Sequence, residues 1–435
     1  MCESINFALF SLKCTIYQIL TEDNESLNQN IVLLQNFSDP QGDKEEFFCC
    51  AWTRDIDDKA QKSLQSFMNI DDSNGLNESR LGSYPASRNN DIPSNQQLLA
   101  IAGKRGVIRI LCPSLASCPV SLSGHGQSIN EIRFHPKHPL LLFSFSKDHT
   151  IRLWNIATRV LVCIFGGAEG HRSEVLHGDV SLSGNLLLSA GMDHTIKVWR
   201  LDSPSLGKAI QESFAYRAKD NPIPYPTILQ HFPEFSSREV HGNYIDCARW
   251  YGSFVISKSC ENKVTFWRPG TLDQEHLGSA CENEHNSKSS MVKIGRQNFV
   301  DNLWLPKVMQ KVDGKPGDIC GVPTEHKVSV IHQIKAPGCD LWYIRFDLDL
   351  RNRRLALGTG TGPSKIYVWD LNQLQNAFSL TPQVLNVNYS SFRNAATESG
   401  LPLTHGAIRH IRFANNGKIL IGVGDNGIIV RFDIK

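Results

Sequence analysis

Two sets of polar residues stand in the same order and at almost the same spacing: His125, Ser144 and Asp148, then His171, Ser189 and Asp193. A serine hydroxyl, an imidazole base and an orienting carboxylate are the parts of a hydrolytic triad, so a hydrolase is the first chemistry to weigh. Each set, however, ends on a tryptophan, Trp154 or Trp199, inside nearly identical phrases: SKDHTIRLW (146–154) and GMDHTIKVW (191–199). A triad is needed once, whereas these residues recur at fixed offsets. Recurrence favours a structural role, in which His bonds the Asp of a tight turn and Ser and the indole N–H complete a buried polar network. The sequence carries no G-x-S-x-G elbow and no phosphate-binding glycine loop. It therefore predicts a binding protein, not an enzyme, with no cofactor.

The twelve cysteines are scattered, and Cys49, Cys163 and Cys247 sit inside apparent strands. They read as thiols of a reducing compartment rather than a disulfide framework. Cys112 and Cys118 lack a second pair at zinc-site spacing, so no metal is expected.

The elements that must position the polar sets are short β-rich runs separated by Gly, Asp and Asn turns. Each of the two phrases follows a Gly-His pair, Gly124-His125 and Gly170-His171. A degenerate copy runs from His241 through SKSCENKVTFW to Trp267, with Glu261 in place of the Asp. Others end in KIYVWD (365–370) and run from His405 through GDNGIIVRFD to Phe432, and LLAIAGKRGVIRIL (98–111) keeps the cadence without the Trp. A repeat of roughly 40–45 residues with this punctuation is the mark of a four-stranded WD40 propeller blade. Six blades are expected at about 47–120, 121–167, 168–203, 240–270, 335–372 and 403–435. FALFSLKCTIY (7–17) and IVLLQNF (31–37) precede them as a remnant. An N-terminal strand joined to the C-terminal blade would remove the open edges. The expected fold is thus all-β, a single seven-bladed WD40 β-propeller over 1–435 with long inter-blade insertions and a truncated N-terminal blade.

Residues 54–97 are Asn/Ser-rich and poor in large apolar side chains, hence expected to be disordered. In 204–239, SLGKAIQESFAY predicts a short helix followed by an extended strap. Residues 271–334 form an inter-blade insertion in which VKIGR resembles a strand, and 374–402 another long loop. Net charge is +2, which gives no general attraction to nucleic acid or anionic membrane. The first twenty residues are interrupted by Glu3, Asn6 and Lys13, unlike a signal peptide, and no window reaches membrane-span length. An intracellular protein is expected.

The stretches IFGGAEGHRSEV (164–175), HFPEFSSR (231–238), REVHGNYIDCARW (238–250), VISKSCEN (255–262) and CDLWYIRF (339–346) go beyond generic blade punctuation. From about residue 47 onward, insertions aside, the chain resembles the extra sex combs / embryonic ectoderm development family of Polycomb proteins. That resemblance implies a nuclear, non-catalytic subunit of Polycomb repressive complex 2. It implies a partner helix from an Enhancer-of-zeste histone methyltransferase on one face, contacts with other subunits of the complex, and no sequence-specific nucleic acid or membrane partner. On the other face it implies a reader of a trimethylated histone H3 tail that stimulates the methyltransferase allosterically. A trimethylammonium cannot donate a hydrogen bond, so aromatic faces must surround it. The family's cage falls on Phe7, Phe48, Trp342 and Tyr343, Phe48 replacing a tyrosine. Arg409 matches an arginine that contacts the peptide backbone, and Asn130, Lys147 and Arg345 match polar positions at the channel mouth. Neighbours in a regular strand point to opposite faces, so Trp342 and Tyr343 can share a cage only at a strand entrance or bulge. The alternative from another class is a general WD40 adaptor, such as a ubiquitin ligase substrate receptor, without methyl-lysine reading.

Overall fold

The computed structural model describes residues 5–10, 13–19, 31–39, 45–53, 97–113, 117–218, 220–221, 223–270, 327–372, 381–387 and 406–434. The expectations of disorder across 54–96, of a strand at VKIGR and of a repeat histidine at His405 lie outside the described residues.

Seven sheets follow one another along the chain. The first holds β1 (Ile5–Phe10), β2 (Cys14–Ile19) and β3 (Ile31–Phe37). The second holds β4 (Phe47–Trp52), β5 (Leu99–Gly103), β6 (Ile108–Cys112) and β7 (Ser117–Leu122). In the third, β8 (Ile129–Phe134), β9 (Leu141–Ser146), β10 (Ile151–Asn155) and β11 (Val160–Phe165) are neighbours in sequence order. The fourth begins with β12 (Val175–Val180), β13 (Leu186–Gly191) and β14 (Ile196–Arg200).

The insertion after β14 supplies edges to two sheets. Its helix α1 (Pro204–Ala215) starts at Ser203, whose hydroxyl accepts from Leu206 N, with Pro204 in the first turn. Leu206, Ala209 and Ser213 turn inward, and Asn155 Nδ2 donates to Ser213 Oγ at 2.9 Å. The strap that follows adds β15 (Ile228–Gln230) parallel to β11 and β16 (Phe235–Ser237) antiparallel to β14. Outer strands are thereby paired rather than left as open edges.

The fifth sheet contains β17 (Ile245–Tyr251), β18 (Phe254–Ser259), β19 (Lys263–Pro269) and β20 (Val328–Lys335). The end of the segment read as an insertion over 271–334 is therefore this sheet's outer strand, and the blade expected at 240–270 is completed from it. The run VSVIHQIK has ordinary strand propensity, but the long excursion before it hid the pairing. Likewise β24 (Gln383–Asn386), inside the expected loop 374–402, completes the sixth sheet after β21 (Asp347–Asp349), β22 (Arg354–Gly358) and β23 (Lys365–Asp370). The last sheet is β25 (Ile408–Ala414), β26 (Ile419–Gly424) and β27 (Ile429–Asp433).

One expectation about the ends is corrected. Among the described residues no N-terminal strand pairs with β25–β27; β1, β2 and β3 pair with each other. A local meander closes shorter loops than a pairing between the two ends of the chain, and loop closure costs entropy.

The core lies between consecutive sheets. Ile110 and Val120 pack with Ile132, Leu142 and Trp154 between the second and third, and Phe143 and Phe165 with Trp199 between the third and fourth. Equivalent clusters join first to second, fourth to fifth, fifth to sixth and sixth to seventh.

Candidate functional site at the axis

The repeated polar sets are built inside single sheets. In the third, His125 Nδ1 meets Asp148 Oδ2 at 2.7 Å and Nε2 meets Ser144 Oγ at 2.7 Å, while Trp154 Nε1 donates to Ser144 Oγ at 2.8 Å. In the fourth, His171 bonds Asp193 at 3.0 Å and Ser189 Oγ at 2.8 Å, and Trp199 Nε1 donates to that oxygen at 3.0 Å. In both, a hydroxyl buried to 0% exposure is spent on two ring nitrogens, leaving no open nucleophile. The hydrogen bond from His125 and its charge hold the Asp148 carboxyl well below the usual range against the opposing effect of burial. The fifth sheet repeats the pattern with His241, Ser257 and Trp267, but Glu261 reaches His241 Nδ1 only at 3.5 Å.

A different arrangement occurs where the innermost strands converge. Five of them carry a β-bulge near their start: the register skips Phe48 in β4, Asn130 in β8, Leu176 in β12, Asp246 in β17 and Arg409 in β25. A bulge leaves backbone groups out of the ladder and redirects a side chain. The backbone groups set free here are collected by three consecutive residues of the sixth sheet's entry. Tyr343 Oη stands 3.2 Å from both Phe48 O and Asn130 O and shares its one hydrogen between them. Arg345 Nη2 donates to Asn130 O at 2.9 Å and Leu176 O at 3.1 Å, and its amide donates to Arg409 O at 2.9 Å. Ile344 N donates to Asp246 Oδ2 at 3.2 Å.

Trp342 and Tyr343 lie in a bend before β21, not within it, so strand alternation does not separate them. Their rings meet edge to face with centroids 5.8 Å apart. Trp342 is 48% exposed, so its ring is open to a ligand. Tyr343 sits at φ 65°, a left-handed conformation that costs energy for a bulky residue and must be imposed by its surroundings. The Arg345 guanidinium covers one face of the Tyr343 ring at 4.5 Å, and His410 packs beside it at 5.9 Å. Burial, and then the neighbouring Arg345 and Arg412, hold the His410 imidazole well below its ordinary range, so it adds no charge here. Burial likewise pushes the Tyr343 phenol well up, keeping it a donor. Phe48 is half-buried at its bulge. Phe7 stands opposite Tyr17 in the β1–β2 ladder, and β1 lies beside β4; the Phe7 side chain is outside the described residues.

The four polar positions separate into two kinds. Asn130 and Arg345 are 7% and 5% exposed. Asn130 Nδ2 is spent on Val175 O, and Arg345 is paired with Glu131, so both hold the site from inside rather than line its mouth. Lys147 reaches solvent and pairs with Glu174 at 2.8 Å. Arg409 bonds Asp425 at 2.9 Å and donates from Nη1 to Trp342 O at 2.9 Å, so it grips the aromatic loop directly. Below this level Arg249 bridges Asp179 and Asp347, each at 3.2 Å, and Arg412 bonds Asp347 at 2.9 Å, linking the four inner strands β12, β17, β21 and β25. Glu131, Asp246 and His410 were missed by sequence reasoning; charged residues inside otherwise apolar strands, as in INEIRF and IDCARWY, are the signal that marks the first two.

Sheets in series, with a His–Ser–Trp network in three of them and inner strands meeting at one axis, define a WD40 β-propeller. The model of the WD domain, G-beta repeat, matches residues 116–155 and 161–200. The chain is 31% identical over 423 residues to the Polycomb protein esc of Drosophila virilis, covering 97% of this chain and 76% of the relative. It is 33% identical to Polycomb protein esc of Drosophila melanogaster, over 80% of this chain and 68% of the relative. The chain belongs to the esc family of Polycomb proteins. A chain of the Chaetomium thermophilum Polycomb Repressive Complex 2 bound to GSK126 superposes with a TM-score of 0.62 at 18% identity, over 99% of this chain and 91% of that one. A chain of ctPRC2 in complex with H3K27me3 and H3K27M gives 0.60 at 19% identity, over 98% and 90%. These two likenesses concern the fold.

Proposed function

We propose that the protein is a non-catalytic, nuclear scaffold of Polycomb repressive complex 2 that reads trimethyl-lysine on the histone H3 tail at its axis. In this reading it supports an Enhancer-of-zeste methyltransferase, stimulates it allosterically and contacts the other subunits of the complex. Esc-family membership and the fold shared with chains of that complex support the scaffold role. The observation that carries the reader role is the half-exposed Trp342 set against Tyr343 on a loop held by five inner strands. Such rings offer a trimethylammonium what it can use, negative π-faces at low desolvation cost, typically ~0.5–2 kcal/mol each. Trp342, Tyr343 and Phe48 would form the cage with Phe7 as a fourth wall, and Arg409 would contact the peptide backbone. Lys147 would lie at the mouth, with Asn130 and Arg345 as supports. The Ser-His-Asp-Trp sets hold individual blades. The seven sheets would close into one ring, with the first and last as neighbours.

Calorimetric titration with an H3 peptide, trimethylated or unmodified, tests the reader role. Weak binding of the methylated form alone is expected; equal affinity for both would end the reader role and leave the scaffold. Recovery of ubiquitin ligase subunits without an Enhancer-of-zeste homologue on purification would favour the adaptor instead.

A further inference from the structure

Two of the family-like stretches, NYIDCARW and VISKSCEN, touch none of the proposed cage rings through a bond of their own, yet they hold a fully buried ion pair. Lys258 Nζ donates to both oxygens of Asp246, at 3.1 and 3.0 Å, with both side chains fully buried. Isolated buried ion pairs are poor stabilisers, because desolvation offsets their attraction and apolar replacements of similar size do as well or better. Such a pair needs another reason to be there. Asp246 occupies the bulge of β17, the position that Phe48, Asn130 and Arg409 occupy in theirs. Its Oδ2 accepts from Ile344 N, the amide immediately after the left-handed Tyr343. Arg409 holds the other side of that residue through Trp342 O. From the SKSCEN stretch, Asn262 Oδ1 accepts from Cys339 N at 2.7 Å and its carbonyl accepts from Ala336 N at 2.8 Å, fixing the start of the same loop.

We propose that Asp246 is the positioning residue of the trimethyl-lysine site: its carboxylate pins the Tyr343–Ile344 peptide in the conformation that presents Trp342 and Tyr343, and Lys258 keeps that carboxylate seated in the core. The proposal rests on the reader role for its effect on binding, but the clamp is a property of the free protein. Arg409 is exposed enough to exchange its partners with a peptide; Asp246 is not, so it fixes the loop whether or not ligand is present.

Two double variants of the full chain separate the acceptor from the charges. Asp246→Leu with Lys258→Met removes pair and acceptor together, while Asp246→Asn with Lys258→Met removes both charges but keeps an oxygen for Ile344 N. The measurements are hydrogen exchange across 341–346, which needs no ligand, and affinity for the trimethylated H3 peptide. The Leu/Met chain is expected to fold, to exchange these amides about tenfold faster and to bind the peptide about tenfold more weakly, the loss of one buried hydrogen bond. The Asn/Met chain is expected to stay within about threefold of the natural one in both, which a role in stability alone does not predict. Natural exchange in the Leu/Met chain, or equal losses in the Asn/Met chain, would overturn the proposal. Faster exchange in the Leu/Met chain, when the natural protein binds no methylated peptide, would support the clamp while removing the reader role.

Discussion

The blade networks and the axial loop are both buried polar assemblies, yet they are built by opposite rules. Each network closes within one sheet, between residues brought together by a hairpin and the loop before it, and the pattern is used again in the next sheet. The axial loop occurs once and draws on five sheets, through backbone oxygens that bulges release and one buried carboxylate. Repetition stabilises a fold, because a polar group that must be buried anyway finds its partner nearby. Convergence specifies a site, because no single blade can hold Tyr343 in a left-handed conformation alone.

This contrast predicts unequal costs. Arg345→Met takes from the buried Glu131 its closest cation, leaving Arg133 at 3.5 Å, and removes a donor from the Asn130 and Leu176 carbonyls. Chemical denaturation should show about 3–5 kcal/mol of lost stability, the usual result of breaking a buried pair from one side. A loss below about 1 kcal/mol would mean that the axis is not a convergence point. Ser189→Ala removes the hydroxyl that His171 and Trp199 share and should cost about 1–3 kcal/mol, with Ser144→Ala similar because its network is the same. Widely different costs at the two serines would break the equivalence of the blades.

The smallest effect concerns pH. Burial pushes the His241 imidazole down to about 4, despite Glu261, because that carboxylate stands at 3.5 Å. The folded protein therefore holds His241 neutral where the unfolded chain, titrating near ~6.5, takes up a proton. Its contribution is fully present above about pH 6.5 and is lost as pH falls towards about 4. Thermal melts over that range should fall for the natural protein and flatten in part for His241→Gln; parallel curves would refute the assignment.

Much of the blade architecture could be read from the sequence. SKDHTIRLW and GMDHTIKVW expose both the repeat and its partners, because turn, strand and tryptophan lie within one short phrase. The outer strands β20 and β24 could not be placed so readily, since each returns after a long excursion and pairs by position rather than by motif. The proposed site could be suggested only through family resemblance. Nothing in the local pattern marks Phe48, Asn130 and Arg409 as equivalent, since a bulge is a property of the paired ladder, not of one strand. Arg345 shows the limit of resemblance: the position it implied at a channel mouth holds a side chain that is buried against the Tyr343 ring.

The most direct test of the axial site is Trp342→Ala, read for stability and for peptide affinity in the same preparation. Trp342 is half exposed, and the loop's bonds run through its backbone carbonyl and through Tyr343, Ile344 and Arg345. Melting should therefore be nearly unchanged while binding of the trimethylated H3 peptide is lost. Undiminished binding, or a melting transition that collapses with it, would contradict a preformed site that presents this ring to a ligand.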